Sequence, residues 1–142
     1  SKRKNAGMTE IDPKSEPCGE LCIQTVAMPA DTNPSGDIFG GWLLSQMDIA
    51  GGVAARNLSR GRVATIAVES MVFNKPVQVG DVVSCYADLE RVGRTSMTFR
   101  VEVWSVRRDS FVREKVTEGV FTFVAIGEDG RSRPIPNEGS KI

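Results

Sequence analysis

Hydrophobic and polar residues alternate along much of the second half of the chain. The clearest alternation lies between Thr95 and Val106, where apolar residues take every second position over four repeats. This period places successive side chains on opposite faces of a β-strand, so it predicts a strand with one inward, apolar face. The inward residues are Met97, Phe99, Val101 and Val103, and the opposite residues are Thr98, Arg100 and Glu102.

Four other segments also predict strands, at residues 21–28, 63–73, 82–91 and 112–126. Turn-forming segments separate the last four strands of the chain, including NKP at 74–76, VGR at 92–94 and RRDS at 107–110. Short connections of this kind predict an antiparallel meander. The outer face of this sheet would carry Trp104 and Val106, which indicates pairing with a second subunit.

The segment from Asp37 to Leu58 follows a different pattern, because its apolar residues spread around the whole circumference of a helix. A helix that is apolar on all sides is a buried helix. Asp37 is the expected N-cap, since its side chain can accept a hydrogen bond from a free amide of the first turn. Gly61 is expected just beyond the C-terminal end.

Two features of this helix conflict with simple core packing. Glycine occupies positions 40, 41, 51 and 52, and each costs about 1 kcal/mol relative to alanine inside a helix. Glycine there indicates that another backbone or a ligand comes close. Asp48 lies in the body of the helix, where a carboxylate needs a partner, or a shifted pKa and a function. It is either a structural residue, capping a loop or pairing with an arginine, or a functional one.

Composition and charge narrow the class of protein. The 142 residues fit one domain, and 18 basic against 18 acidic residues argue against a nucleic-acid partner. The chain lacks a transmembrane run and a signal-peptide pattern, which predicts a cytoplasmic protein without a membrane partner. Cys18, Cys22 and Cys85 lack the spacing of a redox or zinc pair and are expected to be reduced thiols.

Of all the features of the composition, the absence of histidine excludes the most kinds of catalytic site. It removes Ser-His-Asp and Cys-His catalysis, and it makes most catalytic zinc sites unavailable. If the chain is an enzyme that works without a metal, a carboxylate is the expected base.

Five segments carry a family resemblance, and the resemblance covers nearly everything after residue 20. They are MPADTNPSGDIFGGWLLSQMD at 28–48, AVESMVFNKPVQVGD at 67–81, RVGRTS at 91–96, VFTFVA at 120–125 and GRSRPIP at 130–136. They resemble the short-chain acyl-CoA thioesterases of the YciA type, a branch of the hot-dog fold proteins.

The resemblance implies an α+β hot-dog fold, in which a long central helix is wrapped by a curved antiparallel β-sheet. The expected organisation is a flexible N-terminal tail at 1–20, one hot-dog acyl-CoA thioesterase domain at 21–136 and a C-terminal tail at 137–142. The resemblance also implies a homodimer with shared active sites, assembling further into a hexamer.

By this resemblance Asp48 is the catalytic carboxylate for hydrolysis of acyl-CoA. It would act as a general base on water or as a nucleophile that forms an anhydride. The amides of Phe39, Gly40 and Gly41 lie in the first helical turn and would form the oxyanion hole. The two glycines have close helix–sheet packing as their alternative role. Asn33 is a further catalytic candidate for orienting the water, against a default role in a turn.

The expected substrate contacts come from a strand and from turns. Phe39 lies beside the oxyanion hole, and Thr65, Glu69 and Ser70 interrupt an apolar strand that would run beside the partner's helix. Glu69 has a surface salt bridge as its alternative role. Arginines at turns would bind the phosphates of coenzyme A, although each one taken singly is more often a solvated charge. These are Arg91, Arg94, Arg131 and Arg133.

The sequence thus predicts an acyl-CoA thioesterase that needs neither a metal nor a cofactor, because coenzyme A is part of substrate and product. The main alternative is a non-catalytic acyl-CoA-binding hot-dog protein, which would bind acyl-CoA without turnover. A hot-dog dehydratase or hydratase is disfavoured, because such sites generally pair a histidine with a carboxylate.

Overall fold

Within residues 16–136, which a computed structural model describes, the chain forms one long helix and five strands. The expected α+β arrangement is therefore confirmed, and the predicted strand ends agree with the observed ones to within two residues. Residues 1–15 and the predicted tail at 137–142 lie outside the described residues. The elements are β1 Glu20–Val26, a 3-10 turn Pro29–Asp31, α1 Gly40–Ser59, β2 Val63–Phe73, β3 Val82–Val92, β4 Ser96–Val106 and β5 Arg113–Ala125.

The five strands form one antiparallel sheet in the order β1-β3-β4-β5-β2. Strands β3, β4 and β5 follow one another as the predicted meander. The prediction is wrong for β2, which pairs with β5 at the edge of the sheet instead of with β3. The connection from β2 to β3, residues 74–81, is too long for a hairpin turn, so it can carry the chain across the sheet.

Helix α1 buries one stripe of residues against the sheet. These residues recur at the spacing of helical turns, so they share one face of the helix, and that face packs on the sheet. Its members are Leu43, Met47, Ala50, Gly51, Ala55 and Ser59. The predicted burial on all sides is wrong for a single chain, because Ile49 is 53% exposed and Val53 is 38% exposed. One sheet covers only one side of a helix, so the other apolar side is left free for another surface.

The N-terminal end of α1 also differs from the prediction. Phe39 occupies the N-cap position instead of Asp37, and no side chain caps the helix there. The Asn33 amide donates to the carbonyl of Asp37, and the Ile38 amide donates to that of Val77. These hydrogen bonds hold the loop in a non-helical conformation up to Phe39, so the helix begins only at residue 40.

The outer face of the sheet is polar where an exposed apolar surface was expected. Trp104 is only 3% exposed, because the guanidinium of Arg113 lies 5.5 Å from its ring centroid and its indole nitrogen donates to Glu102 at 2.8 Å. The Cys18 amide donates to the same carboxylate, so residues 16–19 lie across this face. The predicted apolar surface around Trp104 is therefore wrong, whereas α1 and β2 do carry exposed apolar side chains.

A buried carboxylate fixes the start of β3. Asp81 is 2% exposed and accepts hydrogen bonds from the amides of Gln78 and Arg108 and from the guanidinium of Arg107. Burial alone would raise the pKa of Asp81, but these donors hold it below its ordinary value. With all these donors already bound, Asp81 is a structural anchor.

The three cysteines are unpaired in the structure. Burial raises the pKa of the Cys85 thiol to about 12, so this thiol is protonated at neutral pH. Cys18 is exposed, and its hydrogen bond to the Asp88 carboxylate raises the pKa of its thiol. Among residues 16–136, no helix is long and apolar enough to cross a membrane.

Candidate functional site

Asp48 lies on the side of α1 that faces the start of β2. It is half-buried, and its Oδ1 accepts a hydrogen bond of 2.6 Å from the hydroxyl of Thr65. The hydroxyl holds the carboxylate at the rim of an open groove of about 270 Å³. Its lining is mainly apolar and consists of Gly41, Leu44, Ser45, Asp48, Thr65, Val68 and Phe121. A carboxylate beside an apolar groove suits a reaction of a ligand that has a polar centre and an apolar chain.

The first turn of α1 leaves two amides without partners. Among residues 16–136, the amides of Gly40 and Gly41 donate to no protein acceptor, as expected for the first positions of an uncapped helix. The amide of Phe39 differs, because it donates to the carbonyl of Asp31 at 3.0 Å. The Phe39 amide is therefore already bound within the chain, and its predicted oxyanion role stays a prediction. Its side chain is 45% exposed at the helix start.

The glycines of α1 have different structural reasons. A methyl group at Gly51 would lie 2.8 Å from the ring of Phe123, so this glycine permits the close approach of helix and sheet. A methyl group at Gly41 would meet nothing within 4 Å, and one at Gly40 would make only an ordinary contact with Phe73 at 3.6 Å. Helix–sheet packing therefore explains Gly51 but does not explain Gly40 or Gly41.

Asp48 and the free amides are separated within one chain. Gly41 precedes Asp48 by seven residues, or about 10 Å along the helix axis. Amide N–H bonds point toward the N-terminal end of a helix, so a carbonyl oxygen bound by Gly40 or Gly41 would lie farther from Asp48 still. A carboxylate that activates a water acts over two hydrogen-bond lengths, roughly 6 Å. A single chain therefore does not bring these two groups to one carbonyl.

Asn33 lies in the loop before α1. Its Oδ1 accepts hydrogen bonds from the amides of Ser35 and Asp37, at 2.9 and 3.1 Å. Its own amide donates to the carbonyl of Asp37 at 2.7 Å. These contacts give Asn33 the turn role that its residue type predicts, and they place it away from the Asp48 groove.

Glu69 and Ser70 are not close to Asp48 in the single chain. Val68 lines the groove, so the alternation along β2 places the next residue, Glu69, on the opposite face of the sheet. The register shifts between Glu69 and Val72, and Ser70 takes a left-handed conformation with φ of 56°. This bulge lies in an edge strand and is exposed, so neither side chain belongs to the Asp48 groove of its own chain.

The four predicted arginines separate into two groups. Arg91 donates to Thr98 on the outer face of the sheet, so it lies apart from the others. Arg94, Arg131 and Arg133 belong to segments that meet at the end of the sheet where β2 begins. The backbone amide of Ile135 donates to the carbonyl of Arg94, and the segment 127–133 follows β5 directly.

Arg133 has a structural role in this arrangement. Its Nη2 donates to the carbonyl of Ser59 at 3.0 Å, its Nε to that of Ile126 at 3.3 Å and its Nη1 to that of Pro134 at 3.4 Å. The guanidinium therefore ties the last turn of α1 to the segment after β5. Its predicted contact with a phosphate stays a prediction.

Two other arginines lie beside Arg133, and the sequence reasoning did not single them out. Arg60 and Arg62 line a groove of about 500 Å³ at the C-terminal end of α1, together with Gly61, Ile126, Gly127, Glu128 and Arg133. The sequence contains only a weak signal for them, since arginines after a helix often contact its last carbonyls. A metal site is a separate question. Among residues 16–136, no group of three or more His, Cys, Asp or Glu residues is arranged to hold a metal ion.

Comparison with known proteins gives consistent matches. The family model of the thioesterase superfamily matches residues 35–111. The acyl-CoA thioester hydrolase YciA of Escherichia coli K12 is 50% identical over 125 residues, covering 86% of this chain and 95% of the relative. The hexameric thioesterase y2039 of Yersinia pestis is 50% identical with a TM-score of 0.83, covering 86% of this chain and 100% of that structure.

A second solved structure names the fold. Cj0915, a hexameric hotdog fold thioesterase of Campylobacter jejuni, is 48% identical with a TM-score of 0.80, covering 83% of this chain and 91% of that structure. The long helix and five-stranded antiparallel sheet described above are thus those of the hot-dog fold, as the sequence predicts.

Proposed function

The chain belongs to the thioesterase superfamily, and on that basis we propose that it hydrolyses acyl-CoA to a free carboxylic acid and coenzyme A. The observation that carries this proposal is the position of Asp48, a carboxylate bound by Thr65 at the rim of an apolar groove. The relative from Escherichia coli bears the name acyl-CoA thioester hydrolase. The reaction requires no cofactor, because coenzyme A is part of the substrate and of the product.

Asp48 accepts a proton from a water molecule while the water oxygen attacks the thioester carbonyl carbon. The resulting tetrahedral oxyanion collapses, the carbon–sulfur bond breaks, and the thiolate of coenzyme A leaves. A thiol has a pKa of about 8.5, so this leaving group needs little help from an acid. Direct attack by Asp48, with an anhydride that water then hydrolyses, uses the same carboxylate and gives the same products.

The hydroxyl of Thr65 acts as a positioning group. Its hydrogen bond to Oδ1 restricts the rotation of the Asp48 side chain and leaves Oδ2 free to bind a water. The neighbouring apolar side chains of Leu44, Val68 and Phe121 line the same groove and provide room for an acyl chain.

Stabilisation of the oxyanion requires donors that one chain does not supply beside its own Asp48. The free amides of Gly40 and Gly41 are suitable donors, but they point away from this carboxylate. A second copy, with its helix antiparallel beside the first, would bring its first turn to Asp48 and so complete the site. This geometry supports a homodimer with two shared active sites.

The exposed surface supports the same assembly. Strand β2 has one unpaired edge, and large apolar side chains are exposed along it and along α1. Such a surface favours burial against a second copy. These side chains are Leu44, Ile49, Val53, Ile66, Val68, Val72 and Phe73. Dimers would assemble further into a hexamer, the state named for the relatives from Yersinia pestis and Campylobacter jejuni.

The test is thiol release from a panel of acyl-CoAs by the native protein and by Asp48→Asn. We expect kcat to fall by at least about 100-fold, because the variant lacks the base. Asp37→Asn is the matched control, since Asp37 lies in the loop before α1 and outside the groove. Turnover by Asp48→Asn at the native rate would refute the role of this residue. Tight binding of acyl-CoA by the native protein without any thiol release would favour the non-catalytic alternative.

A further inference from the structure

The lining of the Asp48 groove contains a third polar side chain, besides Asp48 and Thr65, that has no part in the chemistry described above. Asp48 is the base, and the Thr65 hydroxyl donates to its Oδ1. The third side chain is that of Ser45, which lies about one helical turn before Asp48 and lines the same groove. Residues three apart share one face of a helix, so the Ser45 hydroxyl and the Asp48 carboxylate face the same space.

The single proton of the Ser45 hydroxyl is already used within the helix. Its Oγ lies 2.7 Å from the backbone carbonyl oxygen of Trp42. A carbonyl oxygen carries no hydrogen, so the hydroxyl must be the donor in this contact. Toward a molecule bound in the groove, Ser45 Oγ therefore acts as a hydrogen-bond acceptor, through its lone pairs.

Helix stability does not explain a serine at position 45. Alanine is a better helix former than serine, and a serine hydroxyl that bonds to a carbonyl of the preceding turn slightly destabilises a helix. Ser45 is also exposed in the single chain, so its hydroxyl does not pack in the core. The groove that it lines is the place where this hydroxyl can act.

The separation of Ser45 and Asp48 suits one bridging water molecule. The Cβ atoms of residues three apart on a helix lie about 5–6 Å from each other. A helical side chain leans toward the N-terminal end, so the Asp48 carboxylate reaches back toward the turn that carries Ser45. A water with two hydrogen bonds of about 2.8 Å joins two acceptors that lie roughly 4.5–5.5 Å apart. The acceptor on Asp48 is Oδ2, because Thr65 binds Oδ1.

From this arrangement we propose that Ser45 is a positioning residue for the water that attacks the thioester. The water donates one hydrogen to Asp48 Oδ2 and the other to Ser45 Oγ, which turns a lone pair of its oxygen toward the carbonyl carbon. When the oxygen–carbon bond forms, the first proton passes to Asp48 and the second stays on the attacking oxygen, which becomes part of the acid. The carbon–sulfur bond then breaks and the thiolate leaves. This inference rests on the proposed function and adds a residue to its site.

The first experiment measures kcat and KM for acyl-CoA in Ser45→Ala and Ser45→Thr. Ser45→Ala loses an acceptor that binds the water and not the substrate, so we expect kcat to fall about 10-fold while KM changes by less than about twofold. Ser45→Thr keeps a hydroxyl that can make the same contact with the Trp42 carbonyl, and it is expected to retain at least about half of kcat.

Gln46→Ala is the matched control for these variants, because Gln46 is the next residue of α1 and is not among the residues that line the groove. Its kcat is expected to equal that of the native protein. A raised KM at native kcat in Ser45→Ala would mean that Ser45 contacts the substrate instead of the water, and it would overturn the proposal.

Competition between water and hydroxylamine separates positioning of the water from a merely structural effect. Hydroxylamine at a fixed concentration converts the acyl group to an acyl hydroxamate, and the reaction without protein is subtracted. If Ser45 holds the water, Ser45→Ala slows acid formation more than hydroxamate formation, and the ratio of hydroxamate to acid rises by about fivefold or more. A lower rate with an unchanged ratio would show that the variant only disturbs the helix or Asp48, which contradicts the proposal.

The closing experiment combines Ser45→Ala with Asp48→Asn. Two groups that hold one water act as a unit, so loss of Ser45 is expected to lower kcat by less than about twofold once the Asp48 carboxylate is absent. A further loss of about 10-fold in the double variant would mean that the two residues act independently, and it would refute the shared water. Absence of acyl-CoA turnover in the native protein is a different result, because it refutes the proposed function itself.

Discussion

The two ends of helix α1 are built in opposite ways. At the N-terminal end no side chain caps the helix, and the amides of Gly40 and Gly41 have no protein acceptor among the described residues. At the C-terminal end Arg133 donates to the carbonyl of Ser59, and the Arg60 amide donates to that of Arg56. The carbonyl end is thus tied to the fold by protein groups, whereas the amide end keeps its donors free.

Under the proposed function, this difference between the two ends of α1 serves catalysis. A helix without an N-cap side chain is less stable by about 1 kcal/mol than one with serine or aspartate at that position. The amides remain available for an oxyanion, whose negative charge also suits the positive end of the helix dipole. The C-terminal end of a helix carries the negative end of the dipole, which repels anions. At this end of α1, the guanidiniums of Arg60, Arg62 and Arg133 bring positive charge to the adjacent groove.

The largest expected effect comes from Gly40→Pro, which removes one free amide at the N-terminal end. Proline is tolerated at the first helical position, and Phe39 already has the extended conformation, with ψ of 137°, that a following proline requires. Loss of one oxyanion donor is expected to lower kcat by about 100- to 1,000-fold. The measurement is steady-state thiol release together with a thermal unfolding curve.

Gly40→Ala is the control for that variant, because it keeps the amide and adds a methyl group at an ordinary contact distance from Phe73. A Gly40→Pro protein that is folded and fully active would show that this amide is not an oxyanion donor. The comparison between the two ends of α1 would then lose its functional basis at the N-terminal end.

The next effect is on stability and comes from Arg133→Ala at the other end of α1. The variant loses three hydrogen bonds to backbone carbonyls, including the contact with Ser59. We expect the free energy of unfolding to fall by about 2–3 kcal/mol, measured by urea titration. Arg131→Ala is the matched control, because no hydrogen bond or ion pair of its side chain is found in the described part of the chain. Equal stability of the two variants would show that the Arg133 hydrogen bonds do not stabilise the C-terminal end of α1.

A smaller effect is expected from Gly61→Ala, which tests the same contact from the opposite side. A methyl group at this position would occupy the place of the Arg133 guanidinium, so the arginine must shift. We expect a loss of about 1 kcal/mol, and we expect that loss to be much reduced in the double variant Gly61→Ala/Arg133→Ala. Additive losses in this cycle would mean that Gly61 acts independently of Arg133.

The smallest expected effect is a gain in stability from Gly41→Ala. The added methyl group meets nothing within 4 Å in the chain, and alanine is favoured over glycine inside a helix by up to about 1 kcal/mol. If the open space is where substrate or the partner subunit approaches, KM for acyl-CoA rises although the chain itself is more stable. A variant with unchanged KM and unchanged assembly would show that this space is not used.

The positions of the strands were largely predictable from the sequence, because the alternation of side chains along a strand is a local property. The buried face of β4, with Met97, Phe99, Val101 and Val103, was correctly predicted for this reason. The pairing of β2 with β5 was not predictable, because it depends on which distant strand presents a complementary edge. Strand periodicity contains no information about that choice.

In the candidate site, too, some features were predictable from the sequence and others depended on tertiary contacts. The sequence by itself identified Asp48 as an anomalous carboxylate and the glycines as anomalous helix residues, since both conflict with local rules for a buried helix. Only the tertiary structure distinguished Gly51, which packs on Phe123, from Gly41, which faces open space. Tertiary contacts likewise occupied the Phe39 amide and brought Arg60 and Arg62 together with Arg133. The physical reason is that a hydrogen-bond partner or a neighbouring charge can lie anywhere along the chain, whereas conformational preference is set by adjacent residues.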